Sequence, residues 1–165
     1  MYNNLDHIAL ILDGNKRWAK KNKLKNFEGY LKGFENIKKL VMYTIDLKIP
    51  NLTIFTLSSE NFHRSSINII YNIIYDNFSN ILDELVKEKG VKIRIFGSKN
   101  NLPKKIIDIF DQSEKISSKN NSLNLNIAFN YGFKNEIKEI FKKINDSKVK
   151  INFENDKEIE KLFFL

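Results

Sequence analysis

The sequence predicts an α/β fold: a mainly parallel sheet flanked by helices. Three observations carry this. Four short runs rich in β-branched and aromatic residues alternate with longer segments of helical periodicity. The strand–helix unit recurs in that order along the whole chain, and parallel strands need such crossovers. The first two runs each end in a polar cluster, as strands do at the carboxyl edge of a parallel sheet, where ligands bind.

The first run, His7 to Leu12, is apolar and ends in Asp13, followed by a Gly14-Asn15 turn and then Lys16, Arg17 and Trp18. It reads as a buried strand that delivers a carboxylate, turn amides and a cation to one edge. Lys20 to Lys25 reads as a helix end and loop. Phe34, Ile37, Leu40, Val41 and Ile45 recur at helical spacing, which predicts a helix starting near Gly33 and ending before Pro50. Leu52 to Leu57 is a second buried strand, running into Ser58-Ser59-Glu60-Asn61-Phe62-His63-Arg64.

Ile69, Ile70, Ile73, Ile74, Phe78, Ile81, Leu82 and Leu85 predict one long helix from Ser66 to Lys89, stopped by Gly90. Val91 to Gly97 is the third strand. Pro103 marks the first turn of another helix. Leu123 to Asn130 is the fourth strand, followed by Tyr131-Gly132 and a helix from about Lys134. Ile151 to Leu165 predicts a short terminal helix. No internal repeat or linker divides the chain, so residues 1–165 read as one domain.

The chain has no cysteine, which excludes disulfides and thiolate metal sites and fits a reducing cytoplasm. Its start lacks the pattern of a signal peptide. No apolar run approaches the roughly 18 residues that cross a bilayer. The net charge is +8. The lysines are scattered, so charge alone is a weak pointer to nucleic acid.

If the strands are parallel, Asp13, Asn15 and Arg17 face Ser58, Glu60, Asn61 and Arg64 across one cleft. Two arginines suit a diphosphate, whose oxygens accept paired hydrogen bonds. One carboxylate on Mg²⁺ is common when substrate phosphates supply further ligands. Plainer readings stand beside these. Asp-Gly after a strand is a common turn, and Ser-Ser-Glu resembles a helix cap. Trp18 and the isoleucine stripe read by default as core. His7 and His63 have no partners that suggest a triad or a zinc site.

The stretch His7 to Ala19 resembles the first signature of the cis-prenyltransferases, the undecaprenyl diphosphate synthase family. Leu52 to Arg64 resembles the second, and Val91–Gly97 and Asn126–Gly132 resemble further blocks in the same order and spacing. The resemblance covers nearly the whole chain. It implies condensation of isopentenyl diphosphate onto an allylic diphosphate such as farnesyl diphosphate, giving a cis-polyprenyl diphosphate such as undecaprenyl diphosphate. It further implies Mg²⁺, a homodimer, and a cytoplasmic protein that touches the inner membrane surface through its lipid product, with no nucleic acid involved. By this resemblance Asp13 binds Mg²⁺ and diphosphate and is essential, and Asn61 takes part in proton removal. Gly14, Asn15, Lys16 and Arg17 form the diphosphate loop, with Trp18 beside it. Ser58, Ser59, Glu60, Phe62 and Arg64 contact substrate. The growing hydrocarbon lies in a tunnel between sheet and helices.

The sequence also departs from the family. Lys16 stands where glycine is usual. Asn26 and Tyr30 stand where an arginine and a histidine bind diphosphate; Lys16, Lys23 or Lys25 offers partial compensation, though a lysine is not a bidentate arginine. Phe62 replaces a tryptophan, and Phe34 and Thr56 are larger than is usual. The family's Arg-x-x-Gly-Glu-x-Arg-x-Ser block and a later metal-binding glutamate have no match after Gly132, so the domain is expected to be C-terminally incomplete, with the family's last strands missing and turnover weak or absent. The alternatives are a non-catalytic relative acting as an interaction subunit, an inactive fragment, or a basic RNA-binding α/β domain.

Overall fold

The computed structural model describes residues 5–62, 66–146 and 151–163. The elements are β1 (His7–Ile11), α1 (Asn15–Lys21), α2 (Asn26–Asp46), β2 (Asn51–Ser58), α3 (Ile67–Ile81), a π-helical segment (Leu82–Glu88), β3 (Val91–Phe96), α4 (Lys104–Ser117), β4 (Leu123–Tyr131), α5 (Phe133–Asp146) and α6 (Asp156–Glu160). The strands form one parallel sheet in the order β1-β2-β4-β3. Ile8 lies opposite Leu52, Ile54 opposite Ile127, and Ile93 opposite Leu125.

Alternation along the strands gives the sheet two unlike faces. Leu52, Ile54, Val91, Ile93, Leu123 and Leu125 are buried together with Val41 of α2 and with Leu85 and Val86 of the π-helical segment. Farther toward the carboxyl edge, Leu57 and Phe129 pack with Tyr71 of α3 and with Ile106, Ile109 and Phe110 of α4. Helices α2, α3 and α4 therefore share one face. The opposite face carries a polar ladder near the strand starts. Asn124 Nδ2 donates to Asn51 Oδ1 (2.9 Å), Asn126 Nδ2 to Thr53 Oγ1 (3.3 Å), and His7 Nε2 lies 2.7 Å from Thr53 Oγ1. Asn130 takes a positive φ of 52°, next to Tyr131, whose ring meets Phe55 and Phe96 edge-on.

The two sheet edges differ. At β3, α4 supplies side chains to the outer backbone: Ile93 N–H donates to Ser117 Oγ (2.9 Å) and Ile95 N–H to Glu114 Oε1 (2.7 Å). Buried donors are thereby satisfied and the edge is closed. At β1 no further strand pairs the outer edge among the described residues. The apolar run of β1 reads as a buried strand, but the structure places it at the edge with alternating exposure, and Ile11 is 78% exposed.

Three helices differ from the sequence reading. α2 starts at Asn26, not near Gly33. Its first turn is held by Glu28, whose carboxylate accepts the Lys25 N–H at 2.8 Å. Gly29 and Gly33, which look like breakers, sit inside it. The long helix expected over Ser66 to Lys89 changes to π geometry at Leu82, a shift in hydrogen-bond pattern that an apolar stripe does not report. Gly90 ends it with φ +66°. The terminal helix is shorter than Ile151–Leu165, and Phe164 and Leu165 lie outside the described residues.

Ser117→Ala removes the acceptor for a buried strand N–H. We expect it to lower unfolding free energy by about 1–3 kcal/mol, measured by urea denaturation. An unchanged midpoint would refute the edge-sealing role.

Candidate active site

Leu12 N–H still pairs with Phe55 O (3.1 Å), and then the chain leaves the sheet. Gly14 turns it with φ +92°, a conformation that glycine adopts without a Cβ clash. Asp13 closes this turn: its Oδ1 accepts the Gly14 N–H at 2.5 Å and its Oδ2 meets Arg17 Nη2 at 2.8 Å. Both side chains are nearly four-fifths exposed, so the ion pair is weak and easily exchanged.

The position of this loop is set by α2. A Cβ on Gly29 would stand 2.4 Å from Asn15 O and 2.9 Å from Ala19 Cβ. A Cβ on Gly33 would stand 2.6 Å from Asn15 Oδ1. The two glycines let α1 lie directly on α2. From the other side, Ser58 Oγ accepts the Asn61 N–H at 3.1 Å and fixes the turn after β2. Tyr30 OH donates to Ser66 Oγ (3.3 Å), joining α2 to the residue before α3.

Between α2, α3 and the sheet runs a cavity of about 400 Å³. Its mouth carries Asp13, Gly14, Asn15, Lys16, Arg17, Tyr30 and Asn61. Its walls are apolar, with Phe34, Ile70, Ile74, Phe78, Leu85 and Ile127 among them. The arrangement joins a polar, charge-bearing rim to a hydrocarbon interior. Thr56, larger than is usual at its position, is in the lining, with its hydroxyl turned to Ala128 O at 2.8 Å.

Other expected site residues lie elsewhere. Ser59 and Phe62 line a separate polar hollow of about 260 Å³ with Asn130 and Lys138. The Ser59 N–H donates to Tyr131 O (2.8 Å). Glu60, Trp18 and Asn26 are exposed and outside the cavity wall, and Ser58 holds the turn. His63 and Arg64 lie outside the described residues. Sequence reasoning missed Lys38 and Ser66 as lining residues. Ser66 was legible only as a helix start, and a lysine within an amphipathic helix gives no signal of its own.

Among the described residues no group of three or more His, Asp or Glu could cage a metal. Asp13 is the one carboxylate in the described cavity lining. That donor set fits a divalent cation that takes most of its ligands from a phosphate and water.

Beside the site, Tyr131 OH donates to Glu136 Oε2 at 2.8 Å. Burial, then this bond and the carboxylate's charge, push the phenol up to about 12.

The fold and its cavity define an α/β protein with an anion-type rim and a hydrocarbon pocket. The family model described as "Putative undecaprenyl diphosphate synthase" matches residues 11–164. An isoprenyl transferase of Rickettsia typhi is 37% identical over 154 residues, 92% of this chain and 68% of that protein. An isoprenyl transferase of Staphylococcus haemolyticus is 34% identical over 97% of this chain and 62% of its own length. The crystal structure of lavandulyl diphosphate synthase from Lavandula x intermedia, in complex with dimethylallyl diphosphate, superposes with a TM-score of 0.85 at 26% identity, covering 96% of this chain and 70% of that one. The chain belongs to the undecaprenyl diphosphate synthase (cis-prenyltransferase) family, and it spans about two thirds of the length of these relatives.

Gly29→Ala should separate α1 from α2 and cost about 1–3 kcal/mol, read from chemical denaturation; wild-type stability would overturn the close packing. For Tyr131 the raised value favours the folded state fully below pH 10, the ordinary value, and that advantage is lost as pH rises through about 12. The stability difference between wild type and Tyr131→Phe should therefore shrink across this window, and a flat difference would contradict the assigned environment.

Proposed function

We propose that this chain carries the allylic-substrate site of a cis-prenyltransferase, which condenses isopentenyl diphosphate with an allylic diphosphate to lengthen a cis-polyprenyl diphosphate. Farnesyl diphosphate is the expected primer and undecaprenyl diphosphate a representative product. The carrying observation is the junction of the Asp13–Arg17 rim with an apolar cavity of about 400 Å³. A diphosphate head fits the rim and an isoprenoid tail fits the interior. The dimethylallyl diphosphate held by the lavandulyl diphosphate synthase structure supports the same substrate class.

The chain's own residues divide the work. Arg17 and Lys16 meet the phosphate oxygens as charge-assisted donors. The Gly14–Asn15 turn brings backbone close to the same anion. Asp13 would hold Mg²⁺, which supplies charge neutralisation of the departing diphosphate. The dry isoleucine-lined wall keeps water from the carbon centre as cationic character develops. Asn61, fixed by Ser58, orients the second substrate's reacting end, and a part in its proton removal follows from the family resemblance. Arg64, Ser59, Glu60, Phe62, Trp18 and Asn26 remain substrate-side residues only by that resemblance.

A homodimer, a cytoplasmic location and contact with a membrane surface through the lipid product belong to the same proposal. No helix among the described residues is long and apolar enough to cross a membrane. A second reading, a non-catalytic partner subunit, is favoured by Tyr30. Its hydroxyl is engaged by Ser66 at 3.3 Å, where the family's diphosphate-binding histidine would stand.

Calorimetry with farnesyl diphosphate and Mg²⁺ tests the site. Wild type should bind, and Asp13→Ala or Arg17→Ala should each weaken binding about tenfold or more, as loss of a charge-assisted contact does. Equal affinity in these variants would sink the assignment. Incorporation of labelled isopentenyl diphosphate separates the catalytic reading from the partner-subunit reading.

A further inference from the structure

Among the described residues, two polar contacts join α2 to the segment made of Ser66, α3 and the π-helical stretch. One is Tyr30–Ser66 at the cavity mouth. The other is the ion pair between Lys38 Nζ and Glu84 Oε2. Lys38 lies eight residues beyond Tyr30, about 12 Å farther along α2 at helical rise. There the cavity is walled by Ile37, Phe78, Leu85, Ile93 and Leu125. Lys38 is the one charged residue in the described lining away from the mouth.

A lysine in an apolar wall is tolerated when its methylene stem faces the hydrocarbon and its ammonium is drawn outward. Glu84 does the drawing. It belongs to the π-helical segment, does not line the cavity, and sits beside Leu85 and Val86, which are 2% and 3% exposed. The neighbouring carboxylate, Asp83, is taken by Lys87 at 2.6 Å within the same segment. The pair is half-buried, with side-chain exposures of 31% and 38%. An ammonium released here meets Glu35, one turn away on α2, already paired with Lys32 at 2.8 Å, and the lining's one carboxylate, Asp13, lies at the mouth; an unpaired charge at an apolar wall is costly.

We propose that the Lys38–Glu84 ion pair determines how long a hydrocarbon tail the cavity accepts. Intact, it closes the seam between α2 and the π-helical segment and presents only methylenes to the tail. Broken from the Glu84 side, it leaves a charge that blocks the distal cavity and brings water with it. Short tails, which occupy the mouth half, do not reach it. The inference rests on the reading of this cavity as an isoprenoid site, but its test needs no diphosphate chemistry.

The probes are the free alcohols geraniol, farnesol and geranylgeraniol, each displacing a cavity-bound anilinonaphthalene sulfonate from the 165-residue chain. Wild type should bind more tightly with each added isoprene unit. Glu84→Gln should weaken geranylgeraniol about tenfold while leaving geraniol within about twofold, because only the longer tail loses apolar contact. Lys38→Met, which removes the ammonium, should bind geranylgeraniol at least as tightly as wild type. A purely structural clasp would instead lose the long alcohol in both variants, and that result overturns the proposal. Equal weakening of all three alcohols, no weakening in Glu84→Gln, or a wild type that takes up none of them would also overturn it. If Glu84→Gln fails to fold, Lys38→Met alone decides by the same criterion. Diphosphate binding lost on Asp13→Ala stays a separate result, so failure of the site assignment and failure of this inference are told apart.

Discussion

The absence of two side chains, at Gly29 and Gly33, positions everything at the cavity mouth. Asn15 occupies the space that a methyl group would need at both sites, through its carbonyl oxygen at one and its amide at the other. Helix α1 can therefore rest on α2 at near backbone distance. The turn that carries Asp13 and Arg17 is then held against the helix that forms one wall of the tunnel. Rim and tunnel become parts of one rigid unit, although their residues come from separate stretches of chain. A head group and a tail bound together read the distance between them, and that distance is set by this crossing.

The tunnel itself departs from ordinary packing. Protein interiors are filled to crystal-like density, and space walled by Ile, Phe and Leu is unfavourable to leave empty. Here the sheet face is covered by Val41, Leu85 and Val86 in one cluster and by Ile106 and Phe110 in another, with the cavity between. The space between them stays open because α2 and α3 are fastened to each other at Tyr30–Ser66 as well as packed on the sheet. An apolar tail that fills the space recovers contacts the protein lacks alone.

Much of this was legible in the sequence. The four strands are marked by β-branched runs, and the rim by Asp13-Gly14-Asn15 standing where the first of them stops. The exposure of Ile11 was not legible, because an apolar run says nothing about which neighbours a strand has. Nor was the start of α2: Gly29 and Gly33 are poor helix formers, and only their contact with Asn15 explains them. Nor was the π-helical segment, since Phe78 and Leu85 keep the same apolar spacing in either hydrogen-bond pattern. Ser59 and Phe62 share one motif with Asn61, yet the turn sends them to the opposite side. Adjacency in sequence does not survive a tight turn.

The rim also explains how the proposed site keeps its shape without a ligand. Asp13 and Arg17 satisfy each other at 2.8 Å, and Asp13 accepts the Gly14 N–H as well. Neither charge is left unpaired, so the loop keeps its shape in water. Both groups are exposed, so their pairing contributes only about 0–1 kcal/mol and yields readily. A ligand that brings both signs, phosphate oxygens with a divalent cation, offers each partner a stronger replacement: the cation for Asp13, the anion for Arg17. A ligand of one sign replaces only one and strands the other. On the proposed reading the rim selects a metal-complexed diphosphate over a bare anion or a bare cation, through the same ion pair that holds the loop in place.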